Sequence, residues 1–233
     1  MLLTRVASAV VGIAIAVPIL AAGGIYLGSA IALLSLIGLY EFYEAVKKTN
    51  AMPASVAGYA SALFLLAAVQ IYPRNFFMIS IFTIYVLFVA LFLISVVRAL
   101  KISFIDIMVT LFGVLYIPLL LSFVLLTRNL PGGEFLVWII FIGTWMTDTA
   151  AYFIGSAAGR NKLCVAVSPN KTVEGAIGGM FVSIIAITVF GLAGSRWYDT
   201  VLLPWHHYIA LGILTGIVSQ AGDLTASDIK RTA

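Results

Sequence analysis

Residues 6–40 read VASAVVGIAIAVPILAAGGIYLGSAIALLSLIGLY, 35 positions without a charge. At about 1.5 Å per residue a single helix of that length would far overshoot the hydrocarbon core of a bilayer, which takes about 20 residues to cross. Gly23-Gly24 sits near the middle and offers a turn, so the stretch reads as two spans rather than one. Further runs of the same kind follow at 76–97, 107–127 and 175–195. The whole chain is 63% hydrophobic with a mean hydropathy of +1.14, whereas a soluble domain is nearer half apolar. Strand-like alternation is absent, which argues against an outer-membrane barrel. The fold class expected is an all-α polytopic membrane protein, a bundle of about eight transmembrane helices. They fall near 6–22, 25–45, 54–72, 76–97, 105–127, 135–158, 175–194 and 208–229. The connecting segments are short, so 1–233 reads as a single transmembrane domain, with N-terminal helices over 1–128 and a catalytic part over 135–233.

Orientation follows from the basic residues. With the N-terminus inside, Arg5, Lys47, Lys48, Arg98, Lys101, Arg160, Lys162, Lys171, Lys230 and Arg231 are cytoplasmic, and Arg74, Arg128 and Arg196 are external. That bias obeys the positive-inside rule. It also accounts for most of the net charge of +4, which therefore does not imply nucleic-acid binding. The N-terminal apolar stretch has no convincing cleavage site and is kept as the first helix. Trp197, Tyr198 and Trp205 read as an aromatic belt, with His206-His207 beside it as interfacial residues rather than ligands. The single Cys164 provides neither an internal disulfide nor a metal-ligand spacing.

Against this apolar background one cassette stands out. Only 9% of the residues are charged, yet five charges fall between 148 and 174: Asp148, Arg160, Lys162, Lys171 and Glu174. Asp148, Tyr152, Gly155 and Gly159 share one helix face. A carboxylate at membrane depth is costly without a cation or partner, so Asp148 is a functional candidate. The two glycines alone fit an ordinary helix-packing seam. Segment 160–174 is expected to be a loop ahead of a helix opened by Thr172 or Val173. Helix N-termini bind anions, and Arg160, Lys162, Lys171, Ser168 and Thr172 add positive charge and hydroxyls. The composition suits a polyphosphate, although the glycine spacing is not that of a Walker A loop. An ordinary basic cytoplasmic loop is the plain alternative, and Thr172 serves equally well as a simple N-cap.

A second polar stripe runs along the last helix, where Asp223, Ser227 and Lys230 stand at i, i+4 and i+7; Asp228 points elsewhere. Asp148 and Asp223, on different helices, could share a divalent metal. Magnesium prefers one or two carboxylates together with phosphate oxygens and waters. Glu44 and Lys48 form an i,i+4 pair at a helix end, and Asp106 lies near a helix start, where the dipole favours an anion.

Two stretches resemble a known family. Asp148-x-x-Ala-Tyr152-x-x-Gly155-x-x-x-Gly159-Arg160-x-Lys162, continuing through Ser168-Pro169-x-Lys171-Thr172-x-Glu174-Gly175-x-x-Gly178-Gly179, is similar to the core of bacterial phosphatidate cytidylyltransferases. Gly222-Asp223-Leu224-x-x-Ser227-x-Ile229-Lys230-Arg231 resembles the opening half of that family's signature, and the Thr4-Arg5 start and multi-span layout also look similar. The family pattern continues beyond Ala233 into a Lys-Asp pair, a Gly-His-Gly-Gly stretch, an Asp-Arg-x-x-Asp ending and a further helix. The resemblance implies that additional site carboxylates lie there.

The resemblance implies transfer of a cytidylyl group from CTP to phosphatidic acid in a bacterial inner membrane, with N-terminus and site cytoplasmic. It implies Asp148 and Asp223 as ligands to Mg²⁺, with a second, monovalent cation left open. Lys171 and Arg160 would neutralise the triphosphate, and Ser168, Ser227 and Thr172 would donate to phosphates. Lys230 and Arg231 would meet lipid or nucleotide phosphate, and Tyr152, Lys162 and Glu174 would complete the substrate contacts. A homodimer is suggested by the resemblance alone. The alternatives weighed are a CTP-dependent lipid-alcohol kinase and an ion-coupled transporter.

Overall fold

The computed structural model describes the main chain of residues 2–97, 102–197 and 203–232, and the side chains of 10–97, 102–194 and 203–231. Arg98, Lys101 and Tyr198 lie outside the described residues. Among those described, eight helical rods follow one another. They are α1 (Leu2–Ala22), α2 (Gly24–Lys47), α3 (Ser55–Ile71), α4 (Phe76–Val97), α5 (Phe104–Arg128), α6 (Gly133–Ala158), α7 (Val173–Trp197) and α8 (Trp205–Thr232). Six are long and apolar enough to cross a membrane; α3 and the Val10–Ala22 part of α1 are shorter. The chain is an all-α multi-pass membrane protein, and each of the eight expected helices has its counterpart. The turn between α1 and α2 is made at Gly23, whose φ of +62° is a left-handed conformation that a residue without Cβ adopts at little cost. Pro118 lies inside α5, where a π-turn over Leu115–Leu119 keeps the rod continuous; local widening of this kind accommodates the missing proline N–H.

The helices form two compact units, one ending at Glu134 and the other spanning Phe135–Thr232. In the first, Leu87 and Leu91 of α4 meet Ile107, Leu111 and Val114 of α5 in a buried core. Asp106 does more there than sit near a helix start. It closes a capping box with Ser103 and also accepts the Met52 N–H at 2.5 Å. One turn on, the Thr110 hydroxyl accepts the Ala54 N–H at 2.9 Å, and Tyr43 donates to the Thr110 carbonyl at 3.2 Å. The expected Glu44–Lys48 pair is replaced by Glu44–Lys47 at 2.5 Å. Lys48 is the C-cap, whereas Lys47, three residues from Glu44, is still on the helix and equally a neighbour on its face.

The second unit holds α6, α7 and α8. Its buried end is built from Phe135, Ile139, Ile187 and Tyr208. Segment 160–174 is not an open loop. It is an antiparallel hairpin of β1 (Lys162–Cys164) and β2 (Ser168–Thr172), with Lys162 opposite Thr172 and Cys164 opposite Ser168. Val165, Ala166 and Val167 make the connection. Its open end is tied by the Val173 N–H, which donates to the Asn161 carbonyl at 2.9 Å. Trp205 stands exposed at the start of α8, and the exposed rings of His206 and His207 lie 4.4 Å apart.

Candidate active site

Part of the polar cassette lines one cavity of the second unit, with a volume of about 490 Å³, inside the range of roughly 300–1,000 Å³ usual for small-molecule sites. α6 contributes Asp148, Tyr152 and Gly155, which recur every three or four residues and so share a face. β2 contributes Asn170, Lys171 and Thr172, α7 contributes Gly175 and Ala176, and α8 contributes Gln220 and Asp223.

Close approach of α6 and α7 is what brings these groups together. A Cβ on Gly175 would fall 2.6 Å from the Ala151 carbonyl oxygen and 3.0 Å from the Gly155 Cα, so only hydrogen fits. Thr172 is the N-cap of α7: its hydroxyl accepts the Gly175 N–H at 3.2 Å, satisfying one of the helix's free donors. The cap fixes where β2 ends and α7 begins, and so roots Lys171 in the cavity wall.

Two carboxylates face the cavity. Asp223 Oδ2 meets Lys171 Nζ at 2.5 Å, and the Lys171 ammonium is buried with that carboxylate as its one polar partner among the described residues. Asp148 Oδ1 accepts a hydrogen bond from the Ser219 hydroxyl at 3.2 Å, and the charges of Asp223 and Lys171 both act on it. Gln220 donates its amide N–H groups to the Ala176 and Gly216 carbonyls, each at 3.0 Å.

Of the residues the sequence singled out, Asp148, Tyr152, Lys171, Thr172 and Asp223 line this cavity. The others stand around it. Glu174 accepts the main-chain N–H groups of Arg160 (3.1 Å) and Asn161 (3.1 Å) and the Asn161 side-chain amide (2.8 Å). Its carboxylate thus clasps the base of the hairpin, and with Arg160 it borders a separate, open recess. Ser227 donates to the Asp223 carbonyl at 2.7 Å within α8. Arg231 Nη1 donates to the Ala166 carbonyl at 3.1 Å, joining the end of α8 to the hairpin tip. Lys162 and Ser168 stand on the strands, and Lys230 is exposed in the last turn of α8. Ser219 and Gln220 escaped the sequence reading because they are uncharged residues in an apolar helix. Ser219 stands one helical turn before Asp223 and extends its stripe, which is the signal by which it could have been found.

Among the described residues no group of three or more His, Cys, Asp or Glu side chains converges. Two carboxylates in one cavity, with room for phosphate oxygens and water, are the hard-oxygen donor set that suits Mg²⁺; soft-metal thiolate or imidazole clusters are a different chemistry.

A helical membrane domain carrying two carboxylates and a buried lysine in one cavity has the charge pattern of a membrane-embedded enzyme acting on phosphates. Comparison with known proteins makes this specific. The family model described as the cytidylyltransferase family matches residues 3–233, and the chain belongs to that family of nucleotidyltransferases. It is 30% identical over 265 residues to a phosphatidate cytidylyltransferase of Synechocystis sp., an alignment covering 98% of this chain and 84% of the other. Shorter alignments, covering about half of this chain, reach phosphatidate cytidylyltransferases of Bacillus subtilis (31% over 118 residues, 42% of that protein) and Staphylococcus aureus (37% over 123 residues, 44% of that protein).

Proposed function

We propose that this protein transfers the cytidylyl group of CTP to phosphatidic acid, giving CDP-diacylglycerol and pyrophosphate. The observation that carries this is the convergence of Asp148, Lys171 and Asp223 in one cavity of a chain belonging to the cytidylyltransferase family. Both substrates are polyanions, so the site's first task is to neutralise charge. A phosphate oxygen of the lipid attacks the α-phosphorus of CTP; the bond from that phosphorus to the bridging oxygen breaks, and pyrophosphate leaves with the electron pair. Such transfers depend on positioning and electrostatic stabilisation, and no protein nucleophile is required.

Asp148 and Asp223 are the residues that would hold Mg²⁺, which when bound supplies positive charge to the nucleotide phosphates. Ser219 orients Asp148. Lys171, with three donors on a flexible stem, meets the triphosphate. Thr172, whose oxygen already accepts the Gly175 N–H, still has its own hydrogen to donate to a phosphate. Tyr152 lines the cavity wall, half exposed with its ring against Phe153, and a lipid would meet it on its exposed side. Arg160, Lys162, Lys230 and Arg231 surround the cavity with positive charge rather than lining it, and attract both anionic substrates. Glu174 and Ser168 act through the hairpin, whose tip Arg231 also ties to α8. The positive-inside bias supports a cytoplasmic site in a bacterial inner membrane, where CTP is available. The lipid-alcohol kinase and transporter readings find no comparable support in the relatives' names.

The test is incubation of the purified full-length protein with labelled CTP, phosphatidic acid and Mg²⁺. Chloroform-extractable CDP-lipid with equimolar pyrophosphate is expected. Phosphorylated lipid alcohol with CDP would support the kinase instead, and no product from either lipid would overturn the proposal.

A further inference from the structure

We propose that Lys171 is an exchangeable occupant of the Asp223 cation site: its ammonium holds the carboxylate until a divalent cation arrives, and is then released to the nucleotide phosphates. This inference rests on the proposed function for the identity of the later ligands, but not for the exchange itself. The Lys171–Asp223 pair at 2.5 Å is lopsided. The lysine side chain is 25% exposed and the aspartate 56%, so the cation is the more deeply held member although it carries the longer, more strongly hydrated head. Its buried ammonium has three donors, and one Asp223 oxygen is the only polar partner they meet among the described residues. An ammonium that close partly neutralises the carboxylate, and its positive charge repels an arriving dication.

The charges close in the same direction. Asp148, Asp223 and Lys171 together carry −1, and a divalent cation raises that to +1, a suitable charge for a triphosphate but one that expels Lys171 from the metal's vicinity unless it has a new anion to meet. Lys171 already lines the cavity, and it is anchored immediately before the capped start of α7. Rotation about its side-chain bonds is enough to move the ammonium from Asp223 to a phosphate, with the backbone staying in place. Asp148 needs no such release, because its partner Ser219 is neutral.

The experiment is Mn²⁺ binding to the purified full-length protein in detergent, read by electron paramagnetic resonance with no nucleotide or lipid present. Lys171→Met is expected to bind Mn²⁺ about fivefold more tightly than wild type, the scale of freeing one partly exposed ion-pair partner. Arg160→Gln and Lys162→Gln remove the same charge from the same hairpin without touching Asp223, and are expected to change the affinity less than about twofold, as screened surface charges do. Unchanged or weaker Mn²⁺ binding by Lys171→Met, or equal tightening in the two controls, would overturn the exchange. A second measurement uses the wild-type chain: saturating Mn²⁺ should raise the reactivity of Lys171 toward an amine-modifying reagent, read by peptide mass spectrometry, and loss of reactivity would sink the idea. Because neither arm contains CTP, their failure leaves cytidylyl transfer standing. Failure of the transfer assay alone would leave the exchange intact in an enzyme of different specificity.

Discussion

Ser219 and Asp148 are 71 positions apart, and the hydroxyl of the first donates to a carboxylate oxygen of the second at 3.2 Å. The bond connects α8 to α6 and fixes one oxygen of Asp148, leaving the other for a ligand. Partners of this kind set the orientation of metal-binding groups. Removing the hydroxyl leaves the carboxylate in place but free to turn. Ser219→Ala is expected to lower turnover roughly five- to tenfold, the effect of losing on the order of 1 kcal/mol from a hydrogen bond to a charged group, and to raise the Mg²⁺ concentration for half-maximal rate. Ser219→Thr keeps the hydroxyl and should restore most of both. Magnesium titrations of the three proteins in the transfer assay check this, and equal rates for alanine and threonine would refute the positioning role.

Asp223 is the carboxylate that faces both the cavity and Lys171. Asp223→Asn retains the shape but loses the charge, and turnover is expected to fall at least about 10²–10³-fold, the scale of losing one electrostatic element of an active site. The ion pair is partly exposed, so its contribution to stability is small, within about 1 kcal/mol. The variant should therefore extract and melt like wild type. Normal turnover with a normal melt would remove Asp223 from the site.

How far the sequence reaches is visible in these residues. The helical rods were legible because the bilayer imposes length and near-absence of charge on each span. Asp148, Tyr152 and Gly155 were legible as a stripe because the helix period alone puts them on one face. The hairpin was not: strands of three and five residues are too short for an alternating pattern to rise above a polar loop. The stripe on α8 reaches beyond the cavity in its far part. Lys230 lies seven residues beyond Asp223, which at 1.5 Å per residue is about 10 Å along the axis, so the same face runs past the end of the cavity. Glu174 was read as a substrate contact from its place in a cationic segment; only the folded hairpin reveals that main-chain N–H groups claim its carboxylate.

Away from the site, Asp106 tests the stability of the first unit. It is 5% exposed, caps α5 through Ser103 and holds the Met52 N–H. Asp106→Ala leaves the Ser103 hydroxyl on the residue-106 N–H but removes the reciprocal half of the capping box, the acceptor of the Ser103 N–H, about 1 kcal/mol, and leaves the Met52 donor without its acceptor, a further 1–3 kcal/mol if it stays buried. A loss of roughly 2–4 kcal/mol is expected, visible as a lower melting temperature in detergent, with the Mg²⁺ requirement of the surviving protein unchanged. An unaltered melt would mean that the 48–54 segment and α5 hold each other by other contacts.

Glu174 makes the contrasting case, a charged residue whose effect on turnover runs through the backbone. Its two oxygens receive the N–H groups of Arg160 and Asn161 and the Asn161 amide, closing the end of the hairpin from which Lys171 projects. Glu174→Ala opens that end. The expected result is faster amide exchange at 160–172 and proteolytic cleavage within the hairpin, while α6, α7 and α8 keep their protection. Turnover should fall because Lys171 loses its fixed root, with a higher KM for CTP as the main change. Glu174→Gln retains one acceptor oxygen and should lie between alanine and wild type in both exchange and KM. A direct contact with substrate would behave differently: both variants would lose activity to a similar extent, and the hairpin amides would exchange as in wild type. Hydrogen exchange with mass spectrometry, run beside the CTP titration on the same preparations, separates the two.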